Sequence, residues 1–291
     1  MPESPEVQAL AEFLADRIVG REISGVDIAF PKALKSPSTD PLIGCRITGV
    51  VRRGKLIDIS AEGVGDPVHL VVHWGHDGWL LWHDTVPVGT KRAGDATLMA
   101  RIRLSGDGPD LGPAGPAESP GFDLTDSGQW KALSIFVVAD PRAVPAVAKL
   151  GPDPLDDAFS RDALGAILAG RRKQLKALLQ DQSAVAGIGN AYSDEILHAA
   201  RLSPVVHAAA LSTAEIDRLH DAMRSILSSA VLERRGLAPE ALKDDKRANM
   251  RVHRRPGEAC PVCGDTVREF TFSGAAAHYC PTCQTNGVAL A

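Results

Sequence analysis

The sequence of 291 residues has no basic surplus. Its 32 Lys and Arg stand against 36 Asp and Glu, a formal charge of −4, and the isoelectric point is near 6.1. Phosphate binding usually leaves a basic footprint, so the sum argues weakly against nucleic acid, although distribution decides more than the sum. No apolar run approaches the roughly 18 residues of a membrane span. The start, MPESPEVQAL, has an acidic residue at position 3 and no basic flank, unlike a secretory leader. The expected address is therefore the cytoplasm, or the nucleoid if the partner is DNA. There is no internal repeat. Cysteine is scarce: four of five lie together near the C-terminus, and Cys45 is expected to be a small buried apolar residue.

What is present suggests more than one domain, because the chain exceeds one typical domain length and has enough apolar residues for a sizeable core. Cys260-Pro-Val-Cys263 and Cys280-Pro-Thr-Cys283 form two CxxC pairs with sixteen residues between Cys263 and Cys280. Two-residue spacing lets both thiolates of a pair reach one tetrahedral ion, and a folded-back β-hairpin brings in the second pair. Four thiolates leave no open position, so the expected cofactor is one structural Zn2+. Two disulfides or redox pairs are the alternative, and a cytoplasmic setting disfavours them. His278 is a spare donor with no vacancy to fill. The segment from Val267 to Gly274 alternates and then turns, as a hairpin does. Such zinc ribbons occur in many settings and fix no function alone.

Residues 3–19 are expected to be helical, with Val7, Leu10, Ala11, Leu14 and Ile18 on one face. Pro2, Glu3 and Glu6 suit a helix N-terminus. From 22 to 139, short β-rich runs (Ile47–Val51, Leu56–Ile59, Val68–Val72, Trp79–Trp82, Leu98–Leu104 and Ser134–Val138) predict a sandwich or barrel-like sheet pair. Residues 106–128, rich in Gly and Pro, read as a surface loop. After Asp153 the pattern turns helical. Ser160 is a helix cap, and another helix begins at Leu175. A tight Gly187-Ile-Gly189-Asn190 turn precedes a helix near 191–200. Ser212 and Glu215 form a capping-box pair for a long helix ending near Gly236. Basic residues concentrate late, at Arg171, Arg172, Lys173 and Lys176, and again from Lys243 to Arg255.

Five segments, in order, resemble one family, the formamidopyrimidine-DNA glycosylase and endonuclease VIII (Fpg/Nei) DNA-repair proteins. They are Met1 to Val7, Arg52-Arg53-Gly54-Lys55, Leu150 to Leu155, Gln182 to Leu197, and the four-cysteine hairpin. The stretch from Gln182 resembles the family's helix-two-turn-helix signature. The resemblance implies an α+β multidomain chain. Residues 1–145 would be an N-terminal helix plus β-sandwich, 146–245 a helix-two-turn-helix domain, and 246–291 the zinc hairpin. It further implies a bifunctional glycosylase/AP lyase that acts, as a monomer with no membrane association, on damaged or abasic double-stranded DNA.

By that resemblance Pro2 is the nucleophile once Met1 is removed. A secondary amine can form an iminium with sugar C1′, whereas an amide nitrogen cannot. Glu3 is the acid/base acting on the ring oxygen, Glu6 supports the site, and Lys55 contacts phosphate near the lesion. Asn190, with Gly189 allowing close backbone approach, binds the flanking phosphates. Lys176 lies near the DNA.

The sequence departs from the family at three places. Ala275 stands where the hairpin tip usually carries an arginine, removing a charge-assisted contact worth roughly 1.5–3 kcal/mol. His76 replaces the methionine that fills the hole left by a flipped base. The alignment also keeps an intercalating arginine as Arg142 and puts Val144 in place of a wedge phenylalanine. The alternative function is a damaged-DNA-binding protein of the same fold with weak or lost glycosylase activity.

Overall fold

The computed structural model describes residues 1–63, 65–87, 97–105, 119–272 and 274–290. They form two compact units. The first comprises residues 1–2, 6–149 and 234–242; the second comprises 3–5, 150–233 and 243–291. Among the described residues no helix is long and apolar enough to cross a membrane.

The first unit holds α1 (Ser4–Ile18) from Glu6 onward, then β1 (Glu22–Ile28), β2 (Arg46–Arg53), β3 (Leu56–Glu62), β4 (Val68–His73), β5 (Gly78–His83), β6 (Leu98–Ser105), β7 (Gly121–Asp126) and β8 (Ser134–Val138). Three single-turn 3-10 segments, Pro31–Ala33, Asp40–Leu42 and Pro141–Ala143, and a short helix α2 (Pro145–Ala148) complete it. The antiparallel ladder runs β5-β7-β6-β1-β2-β3-β4-β8. β1 and β2 meet at one pair, Glu22 with Arg46. The ladder therefore divides there into two four-stranded layers, the β-sandwich expected from the resemblance. Val7, Leu10, Leu14 and Ile18 of α1 pack into the same core as Ile23, Ile57, Leu80 and Phe122, as their helical spacing requires.

Strands β1 and β7 were not anticipated. β1 contains Gly25 at a register shift against β6, and an interior glycine weakens the pattern of a strand. β7 lies within the stretch expected to be a loop; residues 106–118 of that stretch fall outside the described residues.

In the second unit, α3 (Arg161–Leu168) is capped by Ser160, whose Oγ accepts from Ala163 N at 3.1 Å. α4 (Leu175–Leu179), α5 (Asn190–Ala199) and α6 (Thr213–Arg234), whose last residue belongs to the first unit, follow. Glu215 reaches back to accept from Ser212 N at 2.8 Å, completing half of the capping box. Leu164, Leu178, Ile188, Ile196, Leu219 and Leu227 share one core. α7 (Leu242–Asn249), whose first residue belongs to the first unit, β9 (Arg268–Phe272), β10 (Ala275–Tyr279) and α8 (Pro281–Gln284) follow. α7 reads LKDDKRAN, polar on nearly every side, so periodicity gave no sign of it. The hairpin of β9 and β10 pairs in regular antiparallel register from Arg268–Tyr279 to Phe272–Ala275.

Candidate DNA-repair site

The helix-two-turn-helix signature builds a nest of backbone N–H groups at the start of α5. Gly187 has φ +86°, the left-handed region where glycine is favoured. Gln182 braces the turn. Its side chain donates to Ile188 O at 2.7 Å and accepts from Gly187 N at 2.8 Å. The exposed N–H groups of a helix start favour an anion, and the anion here is Glu3. Gly189 N donates to Glu3 Oε2, Tyr192 N donates to the same oxygen at 3.3 Å, and Ala191 N donates to Oε1 at 3.0 Å. Gly189 permits this approach, because a Cβ there would lie 2.6 Å from Glu3 Cδ. Ser4 N, donating to Gly187 O at 3.0 Å, ties down the chain just after Glu3. Pro2 is buried and precedes Glu3 directly, while Met1 is 48% exposed.

Asn190 opens α5. Its Nδ2 donates to Ala276 O of β10 at 2.9 Å, and its Oδ1 accepts from Gln180 at 3.1 Å. Lys176, expected near DNA, is instead completely buried. Its ammonium donates to Asp194 Oδ1 at 2.5 Å, to Ser193 Oγ at 2.9 Å and to Asn190 O at 3.2 Å. Burial pushes the Lys176 ammonium below its usual range, and the Asp194 charge pulls it back. The lysine thus braces the residue that opens the helix. Burial also opposes ionisation of Asp194, but hydrogen bonds from His253 and His278 and the Lys176 charge hold its carboxyl below the usual range. His253 Nδ1 and His278 Nδ1 lie 2.7 and 3.2 Å from Asp194 Oδ2. His278 is thus engaged with α5, and its other ring nitrogen lies 3.0 Å from Glu269.

The four sulfurs of Cys260, Cys263, Cys280 and Cys283 lie within 4.8 Å of one another. Cys263–Cys280 and Cys260–Cys283 are 3.4 and 3.9 Å apart. Tetrahedral zinc with bonds of about 2.3 Å needs sulfur pairs about 3.8 Å apart, so the cluster fits one structural ion. Without a cation, burial pushes the Cys280 thiol up to about 11; a bound cation supplies the charge that favours the thiolates. His198 lies 3.2 Å from Cys260 Sγ through Nε2, and burial lowers its pKa to about 4, so it is neutral. Ala275 is exposed at the hairpin turn and offers no cation.

In the first unit, Lys55 follows Gly54 (φ +56°) in the two-residue β2–β3 turn and is mostly buried. His73, which ends β4, is pushed down by burial, by Lys55 and by His76. These three bases therefore gather at one end of the sandwich. Glu6 of α1 faces Arg234 at 3.5 Å, both side chains 1% exposed, so its charge ties the helix to residue 234.

Two loops cross between the layers at the His76 end. Residues 74–77 join β4 to β5, and residues 127–133 join β7 to β8. His73 pairs with Ser134, and Gly78 with Asp126. Asp126, wholly buried, accepts from Gly128 N and Ala132 N at 2.8 Å and from Leu133 N at 3.0 Å. The loop it makes presents Trp130, 84% exposed, and meets the loop of the exposed His76 where Ser127 N donates to Asp77 O at 3.4 Å. Arg142 and Val144 are placed differently from the expectation. They lie beyond Val138, which pairs with His69 at the opposite end of β4 from His73. Arg142 is exposed and paired with Asp140 at 2.9 Å. Val144 is fully buried with Leu56 and Val71, so it cannot act as a wedge. Sequence matching missed Trp130 because an Asp-Pro-Arg string lies fourteen residues beyond Asp126. A tryptophan in a polar turn was the available signal.

Comparison with known proteins bears on all three parts. Residues 1–111 match the formamidopyrimidine-DNA glycosylase N-terminal domain, 150–240 the formamidopyrimidine-DNA glycosylase H2TH domain, and 257–286 the zinc finger found in FPG and IleRS. A formamidopyrimidine-DNA glycosylase of Symbiobacterium thermophilum is 34% identical over all of this chain and 92% of its own. An uncharacterized formamidopyrimidine-DNA glycosylase-like protein of Mycobacterium tuberculosis is 52% identical over 50% of this chain and 92% of its own. Among solved structures, the MutM (FPG) protein of Thermus thermophilus superposes with a TM-score of 0.77 at 30% identity, covering 97% of this chain and 98% of that one. Lactococcus lactis Fpg, solved with DNA containing an abasic site, superposes with a TM-score of 0.81 over 97% and 99% of the chains; at 24% identity the likeness is one of fold.

Proposed function

The chain belongs to the formamidopyrimidine-DNA glycosylase family, and we propose that it is a bifunctional DNA glycosylase/AP lyase acting on damaged or abasic duplex DNA. The observation that carries the reading is the seat of Glu3. A carboxylate fixed by three backbone N–H groups at a helix start, one residue after the proline, puts a proton-handling group beside the only secondary amine a processed N-terminus offers. Pro2 attacks C1′, and the iminium becomes the electron sink for eliminating the flanking phosphates. Glu3 delivers a proton to the ring oxygen and moves protons during elimination.

In this reading Lys55 steadies phosphate near the lesion. Asn190 and Gly189 meet backbone phosphates at the α5 start, and Lys176 acts from behind by holding Asn190. Glu6 keeps α1 in place. His76 and Trp130 fill the hole left by a flipped nucleotide, whose unpairing costs a few kcal/mol; Arg142 meets DNA outside that hole. The functional division is 1–145 for catalysis, 146–245 for DNA grip and 246–291 for the zinc hairpin. The protein works as a monomer in the cytoplasm on nucleoid DNA.

Ala275 favours a second reading, a damage-binding protein with weak base excision, because the tip lacks the guanidinium that grips phosphate. Incubation with duplexes carrying an abasic site or an oxidised base separates the two. Strand cleavage at the abasic site, lost in Glu3→Gln, supports the lyase. Tight binding without cleavage supports the second reading.

A further inference from the structure

Helix α5 carries four polar side chains at helical spacing, Asn190, Asp194, Glu195 and His198, and each is bonded to the segment between Arg251 and His278. Asn190 donates to Ala276 O, and Asp194 meets the rings of His253 and His278. Glu195, itself buried, accepts from the backbone N–H groups of Arg251, Val252 and His253 at 2.9, 3.0 and 2.8 Å. These three side chains fix how α5 lies against the segment, and the fourth brings an imidazole to a sulfur: His198 Nε2 stands 3.2 Å from Cys260 Sγ. His198 is 2% exposed, and its Nδ1 has no hydrogen-bond partner among the described residues. A proton on Nδ1 would be a buried donor without an acceptor, which is costly. On Nε2 it points at the sulfur, so the proton of the neutral ring belongs there.

We propose that His198 donates its Nε2–H to the Cys260 thiolate and thereby strengthens the hold of the four-cysteine cluster on its zinc. Four thiolates carry more negative charge than one Zn2+ cancels. A donor on a sulfur spreads part of that excess, and hydrogen bonds to an ionised acceptor are the stronger kind. Backbone groups do the same for two of the other sulfurs, Asp265 N–H for Cys263 and Cys283 N–H for Cys280. Cys260 is 3% exposed, so the imidazole serves a sulfur that solvent reaches poorly. Arg251 and Arg201 act electrostatically on the same ring and add positive charge near it. No proton is transferred: the imidazole keeps its hydrogen and the sulfur keeps its metal. His198 touches a ligand and not the ion, so it is a positioning residue. The paired CxxC spacing names the ligands but gives no sign of a histidine 62 positions away.

The test has two readouts on the full chain. In wild-type protein loaded with an NMR-active cadmium isotope, a through-bond correlation joins the metal to the cysteine Hβ protons and to any N–H that donates to a coordinated sulfur. An imidazole N–H of His198 should appear in that correlation; its absence overturns the proposal, whatever the variants do. The second readout is zinc affinity, measured by competition with a chelating dye, in His198→Phe and His198→Gln. The first keeps a flat buried ring without a donor, and the second restores an N–H close to the position of Nε2. His198→Phe should bind zinc about tenfold to a hundredfold more weakly, the usual cost of losing a hydrogen-bond partner of a metal ligand. His198→Gln should recover most of the loss. Wild-type zinc affinity in His198→Phe overturns the proposal, and so does an equal loss in both variants, which would assign the effect to packing. Neither readout involves strand cleavage, so neither outcome bears on the lyase.

Discussion

Gly189 N donates to the Glu3 carboxylate across 186 positions of sequence, and a Cβ built on the glycine would stand 2.6 Å from the carboxyl carbon and 2.9 Å from each oxygen. The backbone of Gly189 is extended, with φ −129° and ψ −154°, so the requirement for glycine is one of space. Gly189→Ala should push the carboxyl out of its nest while leaving the turn intact. The expected result is a lyase rate at least about tenfold lower, because misplacement by an ångström costs that and more, with little change in melting temperature. A wild-type rate would show that the seat of Glu3 is not needed for the chemistry.

Trp130 should matter to DNA and not to stability. Its side chain is almost wholly exposed, and stacking on a base is worth about 1–3 kcal/mol. Trp130→Ala should weaken binding to abasic duplex about tenfold, with the melting temperature unchanged. Arg142→Ala, at the other end of β4, should bind as wild type does. Equal affinities for the wild type and Trp130→Ala would remove Trp130 from the interface.

Lys176→Met should destabilise the second unit. It leaves Asp194 buried and short of a partner, a change that costs about 3–5 kcal/mol for a buried pair; His253 and His278 remain on the carboxylate and bring the loss toward the lower figure. Denaturant unfolding measures it. Adding Asp194→Asn should recover part of the loss, because no unpaired charge then remains. Unchanged stability in Lys176→Met would mean that the pair contributes nothing.

Removing zinc should melt the hairpin and lower DNA affinity, since the turns around the sulfurs have only the small cluster of Val252, Cys260, Val267 and Cys280, and the strands only that of Phe270, Phe272, Ala277 and Tyr279. Asn190 would lose its partner on β10 with it. Metal content and duplex affinity before and after chelation give the answer; full affinity in verified metal-free protein would contradict it.

The parts that were legible in the sequence obey local rules. The α1 stripe, the Ser160 cap, the signature turn at Gly187 and the paired CxxC spacing each follow from a few neighbouring residues. What was hidden depends on burial. Lysine is almost never fully enclosed, so nothing near Lys176 announced that Asp194 would meet it. Val144 and Trp130 could be ranked as wedges only once one proved buried and the other exposed. α7 escaped because its composition is polar all round.

The most direct test of the account is to trap the covalent intermediate and locate it. Protein verified by N-terminal sequencing to lack Met1 is mixed with abasic duplex and borohydride, and the adduct is mapped by peptide mass spectrometry. An adduct on Pro2, strongly reduced in Glu3→Gln, is the expected result. An adduct on a lysine such as Lys55 or Lys246, or none despite intact binding, would contradict it.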